Sequence, residues 1–171
     1  MIEKTTLSLW LKPDGRVYDE LAGIIADLSR KHGSPVFDPH VTLLGGLNAP
    51  ADIILGKLDQ ITQHAKPVDV QLGKIGFKDN LFQSFFARVE NDDILSLRRP
   101  CEQAFGNPMM EDFMPHLSLM YHELPEKEKE TLAEELGGRI EYSFQATQIH
   151  LVSTAGDPEE WKEIKTQPLN G

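Results

Sequence analysis

The sequence predicts an α+β fold of two fused lobes. A seven-residue frame occurs once in each half of the chain, as Phe37-Asp38-Pro39-His40-Val41-Thr42-Leu43 and as Phe113-Met114-Pro115-His116-Leu117-Ser118-Leu119. Strand-like alternation and helical periodicity interchange along the whole length. Between the two frames, Val68 to Phe77 and Phe82 to Val89 read as strands that pair as an antiparallel hairpin. With 171 residues the chain is long enough for one good core or for two small lobes sharing a seam. No linker or low-complexity stretch interrupts it, so residues 1–171 are expected to form a single domain of two fused lobes.

Taken in order, Thr5 to Leu11 alternates as a strand and stops at the turn signal Pro13-Asp14-Gly15. Val17, Leu21, Ile24, Ile25 and Leu28 then make one helical stripe, which Gly33 ends. The strand carrying His40 follows, and its Gly45-Gly46 pair suggests an early end or a close approach of backbone to ligand. Asn48-Ala49-Pro50 opens a second helix with Ile53, Ile54, Leu58 and Ile61 on its buried side. In the hairpin, Gly76 suggests a bulge and Lys78-Asp79-Asn80 a turn. A helix from about Asp92 to Phe105 follows, capped by Asn91, with Ile94, Leu97 and Cys101 facing inward. After the strand carrying His116, Pro125 and the acids behind it start a solvated helix that Gly137-Gly138 ends. Ile140 to Val152 reads as strand, and Trp161 to Thr166 as a short last strand.

Charge and composition exclude several function classes. A net charge of -10 repels long polyanions, which leaves room for a small substrate bearing one or a few phosphates. Cys101, the lone cysteine, rules out an intrachain disulfide and a thiolate zinc site. The first residues lack the apolar run of a signal peptide, and no stretch approaches the roughly 20 apolar residues of a membrane helix. A soluble, cytoplasmic protein is expected, without membrane partner and monomeric.

The duplicated frame carries the chemistry. Side chains alternate along a strand, so His40 and Thr42 share one face while Val41 and Leu43 take the other, and likewise His116 and Ser118 against Leu117 and Leu119. Two such strands can present two imidazoles and two hydroxyls to one cleft. A histidine titrates near pH 6.5, so one imidazole of a pair can take a proton while the other gives one. Opening a cyclic phosphodiester needs that pair: attacking water loses a proton and the departing alkoxide gains one. The hydroxyls of Thr42 and Ser118 are placed to donate to the non-bridging phosphate oxygens as charge builds on them. The scheme needs no cofactor and no metal, and neither motif has the spacing of a zinc site. A site built from Asp38, His40, His116 and His122 is therefore disfavoured. His32, His64 and His150 read as structural, and His122 reaches the rim only if its strand continues that far.

These paired frames resemble the signature of the two-histidine phosphoesterase superfamily. Ser8-Leu9-Trp10-Leu11-Lys12-Pro13-Asp14 and Phe113 to Tyr121 resemble more closely its cyclic phosphodiesterase branch, known from plants and yeast. The resemblance implies a bilobal fold with two antiparallel sheets facing across a central cleft, helices on the outer faces, and a pseudo-twofold duplication. It implies a hydrolase that converts ADP-ribose 1'',2''-cyclic phosphate, a product of tRNA splicing, to ADP-ribose 1''-phosphate. It also implies opening of nucleoside 2',3'-cyclic phosphates to 2'-phosphates. By resemblance His40, Thr42, His116 and Ser118 match the catalytic positions, Tyr121 a phosphate-contacting tyrosine, and Trp10 an aromatic at the cleft mouth. A regular strand would turn Tyr121 away from Ser118's face, so a strand end or bulge is required. The disulfides of the plant members cannot form with Cys101 alone. His116 as base and His40 as acid is the expected division of labour. Two other readings stay open: an RNA-end processing enzyme, such as a 2',5' RNA ligase-like or exonuclease-like one, which the acidic charge balance disfavours, and a catalytically silent nucleotide-binding module.

Overall fold

The computed structural model describes residues 6–110 and 112–171. Among the described residues are eight strands, β1 Leu7–Leu11, β2 Val41–Leu47, β3 Val68–Gly76, β4 Phe85–Val89, β5 His116–Met120, β6 Ser143–Ala146, β7 Gln148–Ser153 and β8 Lys162–Pro168, interspersed with four α-helices. The helices are α1 Gly15–His32, α2 Ala51–Thr62, α3 Leu95–Phe105 and α4 Glu126–Glu135. The α+β class is as expected, and so is the hairpin of β3 and β4. Thr5, the expected start of the first strand, lies outside the described residues.

The strands form one antiparallel sheet in the order β6-β3-β4-β5-β2-β1-β7-β8. Each half of that order holds one histidine motif, β2 in one and β5 in the other, so the two expected sheets are two halves of one sheet. The seam between them is narrow: β2 and β5 pair at Val41↔Leu117 alone. Val41, Leu43, Leu117 and Leu119 are wholly buried in the main core with Ile54, Leu58, Leu97 and Cys101 of α2 and α3. Strand alternation sends the histidines and hydroxyls to the opposite face.

Several boundaries differ from expectation, each for a local reason. Helix α3 starts three residues later than Asp92, because the Asn91 side chain is engaged with β3: its amide donates to Asp69 O at 2.7 Å and its oxygen accepts from Gln71 N–H at 2.9 Å. The irregularity of the β3–β4 ladder falls between Leu72 and Ile75, not at Gly76. A side chain at Gly73 would collide with the Glu90 carboxylate, and one at Gly76 would meet the Phe86 ring at 2.7 Å. Strand β2 runs through both glycines to Leu47, with Gly46 in the left-handed region at φ 74° beneath Met109. Ile53, assigned to the core by periodicity, is 51% exposed. The tail divides into β6 and β7, which pair with β3 and β1 in opposite halves of the sheet.

Arg98 of α3 braces the seam from behind. It is 1% exposed, donates to the Leu43 carbonyl at 2.6 Å, contacts Glu102 at 3.3 Å, and sets its guanidinium 4.4 Å from the centroid of Phe113. One side chain thus touches the strand of the first motif and the first residue of the second frame. Truncation would orphan a buried carbonyl and leave a cavity, so Arg98→Ala should cost about 3 kcal/mol or more in urea unfolding. A loss under about 0.5 kcal/mol would show that the brace carries no weight.

Candidate active site

Pro39 and Pro115 each precede a histidine; the proline ring fixes its own φ and biases the residue before it, Asp38 or Met114, towards an extended conformation. In both copies the imidazole folds back on the carbonyl two residues earlier. His40 Nδ1 donates to Asp38 O at 2.7 Å and His116 Nδ1 donates to Met114 O at 2.9 Å. A carbonyl only accepts, so the proton of the neutral ring sits on Nδ1 and the lone pair on Nε2. The same backbone device sets the same tautomer twice.

The seam brings the motifs together. Val41 and Leu117 are the middle residues of their triplets, and an antiparallel register centred on them sets His40 opposite Ser118 and Thr42 opposite His116. The histidines then lie on a diagonal, where side chains start roughly 7–8 Å apart. Both line a cavity of about 630 Å³ together with Thr42 and Ser118. The arrangement can flank one tetrahedral anion with two nitrogens and two hydroxyls.

Their surroundings are not symmetric. His40 is 4% exposed, while His116 is half-buried. Burial pushes the His40 pKa from 6.5 down to about 3; the bond to the Asp38 carbonyl opposes that shift, and the positive charges of His116 and Lys12 reinforce it. His40 is therefore neutral at physiological pH. Trp10 covers its ring, with centroids 3.5 Å apart and planes 10° from parallel, and the Phe37 ring stands edge-on at 6.1 Å. His116 instead has Phe86, tilted by 54° at 4.9 Å. Behind His40, Lys12 Nζ bridges Asp38 at 3.1 Å and Glu163 at 3.3 Å. Glu163 in turn meets His150 Nδ1, and Tyr18 donates to Asp38 at 2.7 Å. Burial works against ionisation of Asp38, but the Tyr18 and Lys12 hydrogen bonds outweigh it and hold the carboxyl below its ordinary range.

All six residues singled out by sequence line this one cavity. Ser118 Oγ lies 3.4 Å from Phe82 O. Tyr121 sits one residue beyond the end of β5, which frees it from strand alternation. Burial raises its phenol to about 12, and a hydrogen bond with Ser118 opposes that rise. Trp10 lies lower than a mouth position, 3% exposed against the imidazole. Sequence reasoning missed Trp161, whose ring stands 5.6 Å from Trp10 and 5.7 Å from Tyr121. It also missed Lys78, the only lysine or arginine on the cavity wall among the described residues. Trp161, read from sequence as the first residue of the last strand, instead lies between the short turn Pro158–Glu160 and β8 Lys162–Pro168, so strand alternation does not place its ring. Of the hairpin residues Gln83-Ser84-Phe85, only Gln83 reaches the wall. His122 does not; its carbonyl accepts from the Ser84 hydroxyl. Among the described residues no group of three or more His, Cys, Asp or Glu side chains is arranged to hold a metal ion. None of the described helices is long and apolar enough to cross a membrane.

An antiparallel sheet whose two halves each contribute a His-apolar-hydroxyl strand to one cleft defines the two-histidine phosphoesterases. Solved structures agree on the fold: TT0787 of Thermus thermophilus superposes with a TM-score of 0.69 at 13% identity, covering 97% of this chain and 98% of that one. Escherichia coli LigT complexed with NADP+ gives 0.64 at 12% identity, with 99% of each chain covered. Among curated proteins, the cyclic phosphodiesterase of Arabidopsis thaliana is 24% identical over 99% of this chain and 98% of its own. The 2',3'-cyclic-nucleotide 3'-phosphodiesterase of Kluyveromyces lactis is 28% identical over 91% of this chain and 82% of its own. Residues 5–169 match the family model described as cyclic phosphodiesterase-like protein, and the chain belongs to that family, a hydrolase of cyclic phosphodiesters.

The buried imidazole has a consequence for stability. With a folded pKa of about 3 against 6.5 unfolded, His40 takes a proton in the unfolded chain across that window and stays neutral in the folded one. Stability is therefore lost as pH falls from 6.5 towards 3. Urea midpoints measured across this range should fall less steeply for His40→Gln than for wild type. Parallel curves would count against a buried neutral His40.

Proposed function

We propose that the protein hydrolyses the cyclic phosphate of small nucleotides, ADP-ribose 1'',2''-cyclic phosphate and nucleoside 2',3'-cyclic phosphates, without a metal ion. Water attacks phosphorus in line with one ring ester bond, which breaks to leave a 1''-phosphate or a 2'-phosphate. His40 takes the water's proton and His116 gives one to the departing oxygen. Thr42 and Ser118, with Tyr121 beside Ser118, donate to the non-bridging oxygens as they gain charge. The observation that carries the reading is the pair of Nδ1-anchored imidazoles on one cavity wall, each with a hydroxyl two residues on.

This division of labour reverses the sequence-based one, and burial is the reason. A general acid must hold its proton before the reaction starts, and His40 is neutral in the free protein. A neutral imidazole is suited to accept one. The size of the cavity, about 630 Å³, is that of a small-molecule site, and with a net charge of -10 it favours a small phosphate ester over an extended RNA. Intact histidines and hydroxyls favour turnover over silent binding.

Purified protein in excess EDTA should open ADP-ribose 1'',2''-cyclic phosphate and nucleoside 2',3'-cyclic phosphates, with loss of activity in chelator counting against the scheme. His40→Ala and His116→Ala should each lower turnover by at least about a hundredfold. The roles separate on an aryl phosphodiester, whose phenolate leaves without a proton. There His116→Ala should regain most of its activity while His40→Ala stays impaired, and the opposite pattern would restore the reverse assignment.

A further inference from the structure

Trp10 has one neighbour that a substrate-binding tryptophan would not have. Its indole lies flat on His40, with ring centroids 3.5 Å apart and 10° between planes. Aromatic pairs prefer an offset, with centroids about 4.5–7 Å apart. Two rings centred over one another at contact distance instead place an imidazole where the negative π face of the indole is strongest. The rest of the ring is also occupied: Trp161 meets it at 66° and 5.6 Å, Lys12 Nζ lies 5.7 Å from its centroid, and the residue is 3% exposed. A nucleobase would have to displace the imidazole to stack on that face.

The backbone beneath Trp10 is fixed from both sides. Strand β1 is internal to the sheet, and Trp10 pairs with Thr42 of β2 and with His150 of β7. The platform and the first motif therefore move as one body. The Asp38 carbonyl fixes one edge of the imidazole and Trp10 fixes its plane, which together direct Nε2.

We propose that Trp10 is a positioning residue for His40, an aromatic platform that orients the neutral imidazole and stabilises the imidazolium formed when water gives up its proton. The proposal rests on the reading of His40 as general base. In the resting protein the ring is neutral and gains little from the indole; in the transition state it carries positive charge over a π face, an attraction that desolvation strengthens. A contact that strengthens as the barrier is climbed raises kcat and leaves substrate binding nearly untouched. Loss of that contact corresponds to a rate decrease of tens of fold. Other titratable or charged groups facing His40 are Lys12 just past the end of β1, Asp38 of its own lead-in and His116 of β5, with Glu163, His150 and Tyr18 in the layer behind. None of these lies flat on the imidazole as Trp10 does.

Steady-state kinetics on a nucleoside 2',3'-cyclic phosphate provide the test. Trp10→Leu keeps the apolar cover and removes the π face, and kcat should fall at least about tenfold with KM within about threefold, while Trp10→Phe recovers most of the loss. A raised KM with unchanged kcat would make Trp10 a base platform and overturn the proposal. A second measurement leaves the ring in place. In Trp161→Phe the fluorescence comes from Trp10 alone, and an imidazolium stacked on an indole quenches it. Emission should fall on acidification with a midpoint well below 6.5, and His40→Gln should abolish that step; a step that survives His40→Gln would also overturn the proposal. If Trp10→Leu retains full kcat while His40→Ala is inactive, the platform role fails and the hydrolase reading stands.

Discussion

The site depends on one point of contact between two strands. The halves of the sheet touch through β2 and β5, and the paired residues there, Val41 and Leu117, are the centres of the two catalytic triplets. A slip of one residue would turn one triplet's imidazole into the core and its apolar residue into the cleft, because side-chain direction reverses at every step of a strand. The large apolar residues on the far side, with Arg98 tying Leu43 to Phe113, penalise such a slip. Packing on one face of the seam thereby sets catalytic geometry on the other.

Duplication supplies the parts and asymmetry assigns the work. Both histidines receive their tautomer from a carbonyl two residues back, so neither is distinguished by its own motif. The difference arises in the second layer. Trp10 and Phe37 close over His40 and withdraw it from water, while His116 stays half-buried beside a tilted Phe86. Desolvation disfavours the charged form of a histidine, so the covered ring waits neutral. A symmetric pair of motifs can then run a reaction with direction, in which one side receives a proton and the other gives it.

Much of this was legible in the chain. Helix α1 follows its apolar stripe to Gly33, which caps it in the left-handed conformation at φ 73°, and α4 lies where Pro125 and its acids place it. Legibility failed where a side chain found a distant partner. Asn91 reads as a helix cap until β3 takes both ends of its amide. Ile53 reads as core until α2 is seen to bury its Ile54 and Leu58 face. Gly45-Gly46 reads either as a strand end or as a close approach of backbone to ligand; the strand does not end there, and the glycines carry β2 along the cavity wall, where any larger residue at Gly46 would strike Met109.

The sequence by itself determined the catalytic inventory: two imidazoles, two hydroxyls, their alternation with apolar residues, and the repetition that marks them as a pair. Those are local properties, set by the period of an extended strand and by the identity of seven neighbouring residues. The tertiary structure alone decided which histidine is covered, that Trp10 lies on it, that Trp161 and Lys78 join the wall, and that Tyr121 turns inward past the end of β5. Burial and ring contact depend on residues far apart in the chain. No periodicity encodes them, because they exist only once the two halves have met at the seam.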